Sequence, residues 1–151
     1  MKKILINSIV SLSLCSNVVA SEELSIRQQD VSPQQLQKQN KQVVKLAALE
    51  ESKSVPQKID KYTTIVDIKA KDTTLIYTFE INTGVKSDEA IIKEDHSRMK
   101  KAVTQGICRS SKRFMDAQIT KVYRYISAVS KKELFKFVVN QDVCSKLNKD
   151  Y

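Results

Sequence analysis

Alternation of apolar and polar residues with a period of two, over residues 64–81, constrains the fold of this chain more than any other feature. One face of the first segment carries Thr64, Val66, Ile68 and Ala70. After a turn at 71–73, one face of the second segment carries Leu75, Tyr77, Phe79 and Ile81. β-branched and aromatic residues in this pattern predict an antiparallel β-hairpin. The apolar face of such a hairpin has to be covered by a second layer of structure.

A second hairpin is predicted toward the C-terminal end. One face of its first strand carries Ile119, Tyr123 and Tyr125. The return strand runs from Leu134 to Val139, and its apolar face carries Phe135, Phe137 and Val139. A polar tail follows from Asn140.

Helix signals lie between the two hairpins. Ser87 followed by Asp88 and Glu89 is typical of a helix start, because the serine can cap the helix and the acids suit its positive end. The stripe that continues this helix consists of Ile92, His96, Met99, Val103 and Ile107. A short helical turn over 110–116 is expected to bury Phe114 and Met115.

A further helix is predicted before the first hairpin. Ser32-Pro33 indicates its start and Val55-Pro56 its end, which gives a helix over about 33–52. Its apolar stripe is broken, so we expect either a helix at one edge of the core or a tether that adds little to stability. A helix that binds a partner is the alternative.

These elements predict an α+β fold: a two-layer sandwich in which helices lie on one side of an antiparallel sheet built from two hairpins. The predicted organisation has three parts. Residues 1–20 form a signal peptide, 21–57 a polar, glutamine-rich helical segment or tether, and 58–151 a disulfide-closed α+β domain.

Residues 1–20 have the layout of a secretory signal peptide, with two lysines before an apolar run and Ala20 as the cleavage site. The apolar run is too short and too often interrupted by polar residues to span a bilayer. We therefore expect a periplasmic or secreted protein. An outer-membrane lipoprotein is the alternative, because the segment ending at Cys15 is similar to a lipobox, although Leu14 stands where a small residue is usual.

Cleavage after Ala20 would leave two cysteines, Cys108 and Cys144. An even pair in an exported chain predicts a disulfide. A metal site would need more ligands, and the chain has a single histidine.

Residue patterns typical of catalysis or cofactor binding are absent from the sequence. A nucleophilic hydrolase needs a base beside its nucleophile, and the single histidine, His96, lies on a predicted buried stripe. The chain has two glycines and no HExxH, CxxC or acidic calcium loop. The sequence therefore favours a protein that is not an enzyme and uses neither cofactor nor metal.

Positive charge is concentrated between Arg98 and Lys136, where eleven basic residues accompany two acidic ones in a chain of net charge +9. The candidate basic patch consists of Arg98, Lys100, Lys101, Arg109, Lys112, Arg113, Lys121 and Arg124. Such a field would attract an anionic lipid, a polysaccharide or an acidic protein face. Nucleic acid is a poor candidate partner for an exported protein, and a solvated surface without a binding role is the alternative.

The order of elements in the second half resembles a known family. Cys108 is followed after six residues by Met115, then by the Tyr123–Tyr125 strand, the return strand and Cys144. Over about 58–146 this order is similar to that of the pilotins of the type II secretion system, in the Vibrio-type branch. The chain departs from the family at the lipobox and before the first strand of the second hairpin, where Ala117 or Gln118 stands in place of the family's glycine.

The resemblance implies a protein that binds a short segment of an outer-membrane channel subunit in a groove and helps to carry it to the outer membrane. The leading hypothesis is thus an exported, non-enzymatic protein-binding or assembly factor of the cell envelope. Its partner would be an envelope or secretion protein. The alternatives are a basic module for an anionic lipid or polysaccharide, and a small inhibitor or exclusion factor from a mobile element.

Overall fold

A five-stranded mixed sheet forms the centre of the computed structural model, which describes residues 32–147. Its strands are β1 (Gln57–Lys58), β2 (Thr63–Lys71), β3 (Thr74–Ile81), β4 (Thr120–Ser127) and β5 (Glu133–Val139). They lie side by side in the order of the chain. The pairs β1–β2, β2–β3 and β4–β5 are antiparallel, and β3–β4 is parallel.

The α+β class and both hairpins are confirmed, but the expectation of a wholly antiparallel sheet is wrong at one pair. The chain leaves β3 and returns to β4 through a connection that contains three helices. That connection brings the chain back to the end at which β3 begins, so β4 runs beside β3 in the same direction, with Tyr77 opposite Tyr123. A helical crossover is the usual link between parallel strands.

Five α-helices accompany the sheet in the described part of the chain. They are α1 (Pro33–Glu51), α2 (Asp88–Lys93), α3 (Ser97–Ser110), α4 (Lys112–Asp116) and α5 (Gln141–Leu147). The predicted caps are present, because the Ser32 and Ser87 hydroxyls accept the backbone N–H groups of Gln35 and Ala90. Within these residues, no helix combines the length and apolarity needed to cross a membrane.

The single helix predicted to follow Ser87 is divided into α2 and α3. Asp95 accepts hydrogen bonds from both the backbone N–H and the hydroxyl of Ser97. Such local hydrogen bonds compete with helical ones, so the chain bends here and α3 begins as a separate helix. Ile92 and Met99 are consequently exposed, contrary to the predicted stripe.

Helices α1, α3 and α4 pack on one face of the sheet. Val44 and Ala48 of α1 join the core cluster that contains Ile68 and Leu75. On the same face, toward the other edge, Ile107 and Met115 pack with Val139 and Cys144. A bulge in β2 between Ile65 and Asp67 shifts the alternation, so that Ile65 rather than Val66 lies opposite Phe79.

The predicted helix over 33–52 is present as α1, but its packing does not agree with a tether. Val44 is 0% exposed, and polar contacts hold α1 near its middle and at its C-terminal end. Lys41 forms an ion pair with Asp72 at 3.0 Å, and Glu51 accepts a hydrogen bond from the Tyr77 hydroxyl at 2.7 Å. Because α1 is buried in this way, we expect it to contribute to the stability of the fold rather than to add little, as a tether would.

Candidate functional site

A disulfide joins the end of α3 to α5. Cys108 and Cys144 are bonded, with their Cα atoms 5.5 Å apart, which confirms the predicted pairing. Cys144 is buried against Ile107, Met115 and Val139. Because seven residues are too few for a stable isolated helix, α5 depends on this bond and these contacts for its place beside α3.

Helices α3 and α5 form the two walls of a shallow groove of about 320 Å³. The groove is lined by Ser97, Lys100, Lys101, Thr104, Val143, Lys146 and Leu147. Its surface is largely apolar, because the aliphatic stems of the lysines lie along it while their amines can reach solvent. The disulfide therefore holds together the two elements that form this groove.

The charge around this groove is positive. Three of its lining residues are lysines, and none is acidic. Helix α3 contains four basic residues and no acidic one. An apolar groove with a cationic rim matches an occupant that has apolar side chains flanked by carboxylates.

One wall of the groove, α5, was not predicted from the sequence. Val143, Lys146 and Leu147 lie in the stretch described above only as a polar tail. Asn140 is the signal that could have revealed α5, because its side-chain oxygen accepts the backbone N–H of Val143 and so caps the helix. Val143 and Leu147, four residues apart, would then have indicated one apolar stripe.

Six of the eight predicted patch residues are exposed on α3 and α4. They are Arg98, Lys100, Lys101, Arg109, Lys112 and Arg113. Lys112 forms an ion pair with Asp116 at 2.6 Å. Lys100 and Lys101 line the groove, whereas Arg109 and Lys112 line a smaller cavity of about 140 Å³ beside the disulfide.

Lys121 lies apart from the other patch residues. It belongs to the helix-covered face of β4 and is only 7% exposed. Its Nζ donates to the Ser111 hydroxyl at 3.0 Å and lies 4.8 Å from the centre of the Phe114 ring. Burial lowers the pKa of Lys121, and the negative charge of Glu51 opposes that shift. Lys121 thus belongs to the interior rather than to an accessible charged surface.

Arg124 also lies apart from α3 and α4, because it occupies the other face of β4. Its Nη2 lies 3.5 Å from the Thr78 hydroxyl. The eight residues of the predicted patch are therefore distributed over three environments of the molecule: α3 and α4, the core, and the face opposite the helices.

Stacked tyrosines form the interior beneath α1. The rings of Tyr77 and Tyr123 are 4.8 Å apart. Burial raises the pKa of Tyr123 to about 12, and burial together with the hydrogen bond to Glu51 also raises the pKa of Tyr77. Both phenols therefore stay protonated at neutral pH; their rings pack on each other, and the Tyr77 hydroxyl donates a hydrogen bond to Glu51.

His96 lies at the start of α3 and packs on a core aromatic residue. Its ring centre is 3.8 Å from that of Phe135. Over residues 32–147 there is no cluster of three histidine, cysteine or acidic side chains that could hold a metal ion.

Comparisons with solved structures identify proteins with this fold. A secreted protein of Pseudomonas aeruginosa has a TM-score of 0.64 at 10% identity, covering 72% of this chain and 96% of that chain. EpsS, a pilotin of the Vibrio vulnificus type II secretion system, has a TM-score of 0.61 at 11% identity, covering 74% and 96%. AspS, the type II secretion pilotin of Vibrio cholerae, has a TM-score of 0.57 at 17% identity, covering 74% and 97%.

At such identities these likenesses concern the fold, and at that level they confirm the resemblance to type II pilotins inferred from the sequence. No protein-family profile matches the sequence, and no characterised protein matches it by sequence.

Proposed function

We propose that this protein is an exported, non-enzymatic assembly factor of the cell envelope that acts as a pilotin does. The likeness to two pilotins along 96–97% of their length is the observation that carries the proposal. A pilotin-like protein acts by holding a segment of another protein, so it needs a groove and no catalytic centre. The partner we propose is an outer-membrane channel subunit of the type II secretion system.

We assign the binding of this partner to the groove between α3 and α5. Apolar side chains of the partner segment would pack on Val143 and Leu147, and its acidic side chains would reach Lys100, Lys101 and Lys146. Charge complementarity of this kind speeds association and selects the partner. Apolar contact supplies the greater part of the affinity.

Deletion of the gene tests the function directly. In the bacterium that encodes this chain, the membranes are separated on a density gradient and the channel subunit is detected in each fraction. We expect most of the subunit to move from the outer-membrane to the inner-membrane fraction in the deletion strain. An unchanged distribution would contradict the proposed function.

Complementation of the deletion strain tests the groove. The double variant Lys100→Glu/Lys101→Glu reverses the charge of one groove wall and should fail to restore the subunit to the outer membrane. The control, Lys38→Glu/Lys45→Glu, makes the same change in charge at two exposed residues of α1 outside the groove. Equal rescue by both double variants would contradict the assignment to the groove.

A second candidate function rests on the exposed cations of α3 and α4. Arg98, Arg109 and Arg113 are exposed, and such a surface could hold an anionic lipid or polysaccharide. Binding of this kind weakens steeply with salt. Sedimentation with phosphatidylglycerol vesicles at 50 and 500 mM salt separates the two candidate functions. Strong binding at 50 mM salt that is lost at 500 mM salt, and that is also lost in the variant Arg109→Gln/Arg113→Gln, would favour lipid binding.

A further inference from the structure

The face of the sheet opposite the helices, here called the outer face, carries a compact apolar strip. Pairing places Ile76 of β3 opposite Val122 of β4, and Val122 opposite Val138 of β5. Val138 is 42% exposed. Three aliphatic side chains on three neighbouring strands thus form one row across this face.

Charged residues of the outer face are largely paired with one another. Lys69 contacts Asp67 at 2.8 Å, Lys131 contacts Glu80 at 2.7 Å and Lys136 contacts Glu133 at 3.4 Å. These pairs border the strip, and their charges balance. These three pairs therefore exert little long-range attraction on an anionic surface such as a bilayer.

Arg124 differs from these cations. It follows Val122 by two residues and so lies beside the strip, between Thr78 on β3 and Lys136 on β5. Its Nε atom is buried and has no hydrogen-bond partner. Its Nη2 is 3.5 Å from the Thr78 hydroxyl, at the outer limit for a hydrogen bond.

A buried donor without a partner carries a desolvation cost, and that cost is removed when the side chain turns so that the donor meets an acceptor on a ligand. A guanidinium presents its donors as a planar fork that matches a carboxylate, whereas a lysine acts as a point charge. A carboxylate that reached Arg124 would be held next to the aliphatic row. This site therefore selects a carboxylate with apolar neighbours.

We propose that the outer face binds a protein segment in which an acidic residue, flanked by apolar residues, is held by Arg124. A protein segment fits better than a phospholipid surface, because the paired carboxylates of Asp67, Glu80 and Glu133 would meet the headgroups of an anionic bilayer. The outer face lies on the side of the sheet away from α3, so it is a second site, distinct from the groove assigned to the proposed function.

A library of displayed seven-residue peptides, selected against the oxidised full-length protein, tests this site. Peptides that still bind the groove variant Lys100→Glu/Lys101→Glu are synthesised, and their affinities are measured by fluorescence anisotropy. We expect an acidic residue between apolar residues. The Arg124→Gln variant should lose at least about tenfold in affinity, and Arg124→Lys should lose less than Arg124→Gln.

Lys136→Gln is the matched control, because it removes one positive charge from the neighbouring position of the same face and should change the affinity by less than about twofold. Replacing the acidic residue of the peptide by its amide should cost as much as Arg124→Gln, with no further loss when both are changed. Thermal melting of each variant verifies that it is folded. The variant Val138→Lys, at an exposed position, perturbs the apolar strip while leaving Arg124 in place.

Any one of four results would overturn the proposal. Selected peptides could lack acidic residues, Arg124→Gln could bind as the wild type does, or the control Lys136→Gln could lose as much affinity as Arg124→Gln. Binding of phosphatidylglycerol vesicles that depends on Arg124 would also contradict it and would assign the site to lipid. None of these outcomes bears on the groove, whose variants are scored separately.

Discussion

Two adjacent valines in α1 have opposite environments. Val44 is 0% exposed within the core cluster, whereas Val43 is 45% exposed. We expect Val44→Ala to lower the free energy of unfolding by about 2 kcal/mol, because it removes buried carbon atoms and leaves a cavity. Urea unfolding measures this.

Val43→Ala is the control for that substitution, with the same change of side chain one position away. It should alter the free energy of unfolding by less than about 0.5 kcal/mol, as is usual at surface positions. Equal effects of the two substitutions would indicate that α1 is a tether, which is one of the two arrangements expected from the polar composition of residues 21–57.

Lys121 should make stability depend on pH. Burial lowers its pKa below the usual 10.5, so the unfolded chain binds more protons than the folded one at pH values between the folded pKa and 10.5. Stability therefore rises with pH across that window. We expect Lys121→Met to abolish this rise in thermal midpoint, whereas Lys101→Met, at an exposed lysine, keeps it.

The buried tyrosines have the opposite effect at higher pH. The pKa values of Tyr123 and Tyr125 are raised to about 12 from the usual 10. Between pH 10 and 12 the unfolded chain loses protons that the folded chain keeps, so stability falls with pH. A thermal midpoint that stayed constant from pH 10 to 12 in the Lys121→Met variant would contradict this assignment.

At the scale of elements, the disulfide is the feature on which the groove depends most. Cys108 and Cys144 are 36 positions apart in the chain. We expect Cys108→Ser/Cys144→Ser to lower the free energy of unfolding by about 2–5 kcal/mol. Without the disulfide the unfolded chain has more conformational entropy, which favours unfolding. Urea unfolding of the variant, compared with the oxidised wild type, measures this loss.

Wild-type protein treated with a reductant is the control and should unfold at the same urea concentration as the double variant. Alkylation and mass spectrometry count the free thiols in protein taken from the periplasm. Two free thiols there would contradict a role for this bond in the exported protein.

The elements differ in how far the sequence predicted them. Alternation identified β2 to β5 because each strand buries one face, and Ser32 and Ser87 identified helix starts because their hydroxyls cap locally. The bulge after Ile65 and the break at Asp95 could not be read in the same way. At the bulge, the pairing of β2 with β3 shifts by one residue although the alternation of residue types continues. At the break, hydrogen bonds from Ser97 to Asp95 end one helix although the helical spacing of apolar residues continues.

For the whole molecule, export and processing remain predictions, since residues 1–20 lie outside the described part of the chain. We expect the mature protein to start at Ser21 without a lipid, because Ala20 suits the signal peptidase and Leu14 fits a lipobox poorly. The intact mass of protein purified from the cell envelope decides this. An acylated N-terminus at Cys15 would contradict it, while a mass without lipid that is lower by two hydrogen atoms than that of the reduced chain agrees with the disulfide.

The sequence was sufficient to predict the α+β class, the two hairpins, the helix starts and the cysteine pair, since each depends on residues close in the chain or on a simple count. It did not determine that β3 and β4 are parallel, because that follows from the path of the whole 82–119 connection. Nor did it separate Lys121 from Arg124. Both are basic residues of one strand, and only packing on the two faces of the sheet leaves one in the core and the other on the outer face.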